Sequence, residues 1–306
     1  MNQAASVKDR LKNISVASGK TLQELLTAYG LERTIFRLSK SRYAGNFTLK
    51  GGIFLYAVFD GNYPRATTDI DLLAQRISND AEDIKQVFTE IFSLDADDPL
   101  AFDLDTLDVH PITEFKDYHG VNVTVLAYLD RTRIPVSIDI GFGDVIKPGR
   151  VMMDFPVILG DERPHLYAYS LCSSVAEKFE AIVSLAYDNS RFKDYYDLYA
   201  LATTHDFAGF EMVDAVRTTF ENRHSSLNEI AAFEEGFSDD PLRRSRWNAF
   251  VKKKKAMLPI TLQETIDMIQ KFMQPVADAV RKDGRLDANW SHRQRDWVPN
   301  HNAANA

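Results

Sequence analysis

TLKGGIFLYAVFDGNYPRATTDIDLLA, Thr48 to Ala74, sets paired glycines and an apolar run beside two acids, Asp69 and Asp71, in an apolar frame. Gly51 and Gly52 follow a short β-like piece, NFTLK, and open IFLYAVF, which is apolar enough for a buried helix. GNYPRA is a turn-rich loop, and TTDIDLLA predicts a strand. In a strand, residues i and i+2 point to one face. Asp69 and Asp71 then project together while Ile70 and Leu72 face the core. Two neighbouring carboxylates repel and raise each other's pKa unless something positive lies between them. A divalent cation meets that need. Mg²⁺ prefers oxygen ligands and takes one or two carboxylates plus phosphates and water. Taken alone, the pair is equally a strand end with two solvated acids.

Downstream, AFDLDTLDVHPI, VNVTVLAYL and IPVSIDIGF predict three strands, and VMMDFPVIL a fourth. IPVSIDIGF carries Val136, Ile138 and Ile140 on one side and Ser137 and Asp139 on the other. If its strand neighbours that of Asp69 and Asp71, three carboxylates converge, enough for one or two ions. Upstream, glycines let backbone approach a ligand closely. A helix start offers free N–H groups and a positive dipole end to phosphate. A lone Gly-Gly is equally a tight turn; glycine corner, apolar helix, turn, then Asp-x-Asp on a strand is a far more specific order.

Helices flank this core. GKTLQELLTAYGLERTIFRLSKS spaces Leu22, Leu25, Leu26, Tyr29 and Leu31 by three and four. SNDAEDIKQVFTEIFSL reads as a helix capped by Ser78. Beyond Pro164 the chain changes style, and from Ser170 nearly everything reads helical. The predicted class is α+β: residues 1–165 hold a mixed sheet with flanking helices, and 166–306 form a mostly helical domain. The last stretch, HRQRDWVPNHNAANA, is predicted to be poorly ordered.

Composition narrows the function classes. The 306 residues are 45% hydrophobic and 26% charged, ordinary for a globular protein. A net charge of -8 does not favour a polyanion, so any nucleic-acid contact needs a local basic patch. RRSRWNAFVKKKK, Arg243 to Lys255, is the densest basic segment, with Trp247 and Phe250 interleaved for stacking on unpaired bases. It reads equally as a solvated helix face. The single cysteine, Cys172, excludes an internal disulfide and fits a reducing cytoplasm. Without a partner at metal spacing it reads as core. The seven histidines show no metal-ligand pattern. The N-terminus lacks an apolar core of signal-peptide length, and no run approaches the ~18 apolar residues of a membrane span.

GG…RATTDIDL followed by a third-strand aspartate resembles the signature of the polymerase β-like nucleotidyltransferase fold. More narrowly, LKGGIFLYAVFDGNYPRATTDIDLL together with SSVAEKFEAIV…RFKDYYDLYAL resembles the AbiEii/AbiGii family of toxin nucleotidyltransferases, in order and spacing from about Lys50 to Leu201. The resemblance implies roles. Lys50, Gly51 and Gly52 sit against a triphosphate. Asp69 and Asp71 hold Mg²⁺, or Mn²⁺ in its place, on the β- and γ-phosphates. Asp139 activates the incoming hydroxyl, as base or through a second metal. Lys178 neutralises triphosphate charge, and Asp194, with Lys193 and Asp197, completes the nucleotide pocket from the helical domain. Arg65 and Thr67 flank the nucleotide. Many members of the wider fold have Gly-Ser at the cradle, where Gly52 stands here.

The same residues have plainer readings. Lys178 follows Glu177 on an amphipathic helix, where a solvated lysine is the default. KDYYDL is also a helix start, with Asp194 near the N-terminal dipole and the tyrosines as core. Arg65 is equally an exposed loop arginine. Asp144, in the turn GFGDVIKPG, reads as satisfying local backbone.

The resemblance implies transfer of a nucleotide from an NTP to RNA, the tRNA 3′ acceptor end, by the toxin of a toxin–antitoxin pair. The implied partners are NTP, the RNA acceptor and an antitoxin from a neighbouring gene, with no membrane. It also implies a regulated hydroxyl beside the metal site, and Thr67 occupies the matching place: a phosphate there adds negative charge beside the acids. Two other classes remain open: nucleotidyl transfer to a small molecule such as an antibiotic, and a catalytically idle nucleotide-binding scaffold.

Overall fold

A computed structural model describes residues 3–63, 66–112, 120–253 and 260–300. Arg65, Lys254 and Lys255 lie outside the described residues. The chain divides into two compact units: Met1–Asp144 with Val151–Tyr169, and Val145–Arg150 with Ser170–Ala306.

The first unit begins with helices α1 (Gln3–Ser18) and α2 (Leu22–Lys40). Thr21 starts α2 through a capping box with Glu24, each side chain taking the other's backbone N–H. Then come β1 (Phe47–Lys50), α3 (Gly51–Val58), β2 (Ile70–Ala74), α4 (Ala81–Phe92), β3 (Leu100–Ile112), β4 (Gly120–Leu129), β5 (Thr132–Phe142), β6 (Val151–Asp154) and β7 (His165–Ala168). The strands form one mixed sheet in the order β3-β4-β5-β2-β1-β7-β6. β5 lies parallel to β2 and antiparallel to β4, and β1 runs antiparallel to β2. This is the expected α+β class.

Alternation along β5 separates a dry face from a polar one. Ile134, Val136, Ile138 and Ile140 are buried, and α2 packs on β5. Gly30 permits that approach, since a Cβ there would lie 2.6 Å from Ile134 Cγ2. Ser137 and Asp139 take the opposite face. An ion-pair clamp joins α2 to the start of β3: Arg33 Nε and Arg37 Nη1 lie 2.6 and 2.9 Å from Asp98 Oδ2. All three side chains are at most a tenth exposed. One residue before Arg33, buried Glu32 accepts the Ile158 N–H at 2.6 Å.

Two expectations need correction here. α4 is capped by Asp80, whose carboxylate accepts the N–H groups of Glu82 and Asp83; Ser78 instead accepts from the Asp80 N–H, outside the helix. An ionised carboxylate meets a helix's positive end better than a hydroxyl does. β2 starts at Ile70, so Asp69 sits on the bend before the strand rather than within it.

The second unit holds α5 (Leu171–Leu185), α6 (Phe192–Thr204), β8 (Phe207–Ala208), α7 (Gly209–Asn222), α8 (Pro241–Lys253), α9 (Leu262–Arg281), β9 (Ala288–Ser291) and β10 (Asp296–Pro299). Its helical character is as expected, but the predicted disorder after His292 is corrected up to Pro299. β9 and β10 pair and join β8 in a three-stranded sheet. Two aromatic anchors hold this hairpin. Trp290 is fully buried and donates Nε1–H to the Ala202 carbonyl at 2.7 Å; Trp297 donates to the Phe272 carbonyl at 2.9 Å. Among the described residues, no helix is long and apolar enough to cross a membrane.

Candidate active site

The polar face of the first unit's sheet carries one row of side chains across four strands. Asn122 of β4 stands opposite Asp139 of β5, Asp139 opposite Asp71 of β2, and Asp71 opposite Lys50 of β1. Directly opposed residues share a face, so register alone brings these four together. Asp69, on the bend before β2, joins them. Ligand oxygens of Asp69, Asp71 and Asp139 all lie within 4.8 Å of one another, and each residue is half-buried. Among the described residues this is the only such group of three or more histidines, cysteines or acids.

Local structure fixes each carboxylate. Gly51 opens α3 with a φ of +66°, and a Cβ there would lie 1.9 Å from Asp71 Oδ2. Glycine is therefore required at 51, both for its left-handed backbone and for room. The Gly52 N–H donates to that same oxygen at 3.2 Å. Lys50, at the N-cap of α3, makes no side-chain cap bond; the Asp71 carboxylate meets the helix's positive end instead. Asn122 Nδ2 donates to Asp139 Oδ1 at 2.6 Å and to Ser137 Oγ at 2.9 Å, which orients the Asp139 carboxylate. The Thr67 hydroxyl donates to Asp69 Oδ1 and to the Asp69 carbonyl, both at 3.3 Å.

The donor set suits a hard divalent cation. All three ligands are carboxylate oxygens, the donors Mg²⁺ prefers, and they lie within 4.8 Å of one another. Histidine and cysteine, which softer metals favour, are absent from the group. Cys172 is buried, and burial holds its thiol up to about 12, so it offers no thiolate.

Within the second unit, the family-implied Lys178, Asp194 and Asp197 form a buried group. Lys178 of α5 is 9% exposed, with Nζ at 2.5 Å from Asp197 Oδ2 and 3.5 Å from Asp194 Oδ1. Arg191 Nε lies 2.9 Å from Asp194 Oδ2. Asp194 sits in the first turn of α6 and Lys193 beside it is exposed. Lys178 is thus neither a solvated surface lysine nor a lone cation.

The basic segment is built differently from the stacking platform expected. Trp247 is fully buried against Phe192 and Phe250, with its Nε1–H on the Ile260 carbonyl. It has no face left for a base. Arg243 donates to the carbonyls of Phe237 and Tyr187 and lies over the Phe237 ring. Arg244 pairs with Asp239. Two of the segment's arginines are thereby used within its own unit.

The sequence reading missed Asn122, whose signal was an amide inside the apolar strand VNVTV. It also misjudged Asp144. That carboxylate lies 2.7 Å from Lys50 Nζ and accepts the Tyr169 hydroxyl at 3.3 Å, instead of serving only its own turn.

A family model described as "Nucleotidyl transferase AbiEii toxin, Type IV TA system" matches residues 33–274. Two crystal structures from Helicobacter pylori are similar to this chain. A candidate nucleotidyltransferase gives a TM-score of 0.49 at 17% identity, over 86% of this chain and 98% of that one. JHP933 gives 0.48 at 15% identity, over 86% of this chain and 95% of that one. No curated protein matches.

Proposed function

This chain belongs to the AbiEii nucleotidyl transferase toxin family of type IV toxin–antitoxin systems, and from that membership and its carboxylate cluster we propose that it moves a nucleotide from an NTP to the 3′ acceptor end of tRNA with Mg²⁺ bound. The observation that carries the metal-dependent chemistry is the approach of Asp69, Asp71 and Asp139 to within 4.8 Å at the Gly51 corner. The choice of an RNA acceptor rests on the family resemblance.

Residues of the first unit divide the work. Asp69 and Asp71 would hold Mg²⁺, with Asp139 as the third ligand. When bound, the ion would neutralise triphosphate charge and stabilise the leaving oxygen of an in-line displacement. The start of α3, with Gly51 lacking a side chain, receives phosphate oxygens on backbone N–H groups. Asp139 Oδ1 is held by Asn122, which leaves Oδ2 to accept the proton of the acceptor hydroxyl. That hydroxyl oxygen bonds to the α-phosphorus as the bond from phosphorus to the bridging oxygen breaks, and pyrophosphate leaves. Lys178, Lys193 and Asp194 are assigned to the nucleotide on the resemblance. The toxin–antitoxin family implies an antitoxin partner.

Incubating the protein with α-labelled NTPs, one at a time, and bulk tRNA in Mg²⁺ tests the proposal. Label on the tRNA 3′ end, lost in Asp71→Asn and on chelation, is the expected result. Label on an aminoglycoside instead of tRNA overturns the acceptor. Bound nucleotide without transfer to any acceptor overturns the reaction.

A further inference from the structure

Lys50 ends β1 directly across from Asp71 and shares its face of the sheet. An ammonium there is a built-in rival to any cation the three acids would bind. Two residues outside that cluster hold it. Lys50 Nζ lies 2.7 Å from Asp144 Oδ2 and 3.4 Å from the Tyr169 hydroxyl, and that hydroxyl donates to the same Asp144 oxygen at 3.3 Å. The anchor is buried: the Asp144 side chain is 5% exposed and Tyr169 2%. The Tyr169 N–H in turn bonds the Leu49 carbonyl at 2.9 Å, which ties the anchor to β1 itself.

We propose that Asp144 is a positioning residue which, with Tyr169, anchors the Lys50 ammonium and so limits its claim on Asp71, leaving the carboxylates of Asp69, Asp71 and Asp139 to a divalent cation. The inference rests on the metal reading above. An anchored ammonium shares its charge with Asp144, which lessens its pull on Asp71 across the strand pair. A released ammonium is drawn to Asp71, directly across from it, and the ion must then displace it.

The test is Mn²⁺ binding to the full chain without nucleotide, read from the electron paramagnetic resonance of free Mn²⁺. The forms compared are wild type, Asp144→Asn, Lys50→Gln and the double variant. Asp144→Asn is expected to weaken Mn²⁺ binding about tenfold, and to change it less than about twofold once Lys50 is glutamine. Tyr169→Phe, which alters no charge, is expected to weaken binding about threefold in the wild-type background only; it decides the matter if Asp144→Asn does not fold. Equal losses in both Lys50 backgrounds, or none in either, overturn the anchoring role. Wild-type protein that binds no Mn²⁺, or whose binding ignores Asp71→Asn, overturns the metal reading itself and this role with it.

Discussion

Asp71 Oδ2 occupies the space that any side chain at Gly51 would need. A Cβ on Gly51 would lie 1.9 Å from that oxygen, and the backbone there is left-handed at φ +66°. The glycine corner and the carboxylate are therefore one device: the corner is tight because the acid fills it, and the acid is fixed because the corner is bare.

Gly51→Ala should displace Asp71 and strain the backbone, for about 1–3 kcal/mol of stability. Nucleotide transfer should fall further than the lost stability explains, because the acid moves away from its partners. Denaturant unfolding alongside a transfer assay separates the two effects. A fully active Gly51→Ala protein would show that the corner is dispensable.

Asp69→Asn, Asp71→Asn and Asp139→Asn should each lower transfer by about 10³-fold or more, the scale of losing a metal's contribution. Their melting temperatures should hold or rise, because each change removes like-charge repulsion among the acids. Loss of activity together with unfolding would point to a structural role.

Lys178→Met should cost about 3–5 kcal/mol, as expected when one partner of a buried ion pair is removed. Asp197 is fully buried, and its carboxylate would be left without the lysine. Urea unfolding reads the loss. A Lys178→Met protein as stable as wild type but inactive would assign the lysine to the reaction alone.

Stability should depend on pH through Glu32. Burial, its largest cause, raises this carboxyl from 4.5 to about 7. The folded chain keeps its proton where the unfolded chain has lost it, so the contribution is full below about 4.5 and disappears as pH rises through 7. The fall amounts to roughly 3 kcal/mol. Glu32→Gln should flatten it and should exceed the wild type at pH 8 in chemical denaturation. Identical pH slopes in the two proteins would remove Glu32 as the source.

Most of the sheet and the acid cluster was legible because period-two alternation dictates faces. Ile138 and Ile140 mark the dry side of β5, so Asp139 had to point the other way. The spacing of Asp69 and Asp71 and the glycines before them completed the motif. What stayed hidden depended on register and distance. Nothing local says that Asn122 stands opposite Asp139, or that Asp144 reaches Lys50, 94 positions earlier. The strands near the C-terminus were hidden for a related reason. QRDWVP reads as polar tail until Trp290 and Trp297 find carbonyls on α6 and α9. Trp247 misled in the opposite sense, since basic neighbours suggested a stacking surface where an aromatic core was being closed.

The parallel pairing of β2 with β5 has a bearing on biosynthesis. A chain still emerging from the ribosome has Asp69 and Asp71 long before Asp139, and β5 must slot between β4 and β2 before the third acid arrives. Such long-range closure is the slow kind of strand pairing. A chain ending before Thr132 would carry Asp69 and Asp71 without Asp139, and no cluster. The carboxylate cluster exists only once the middle of the sheet is in place.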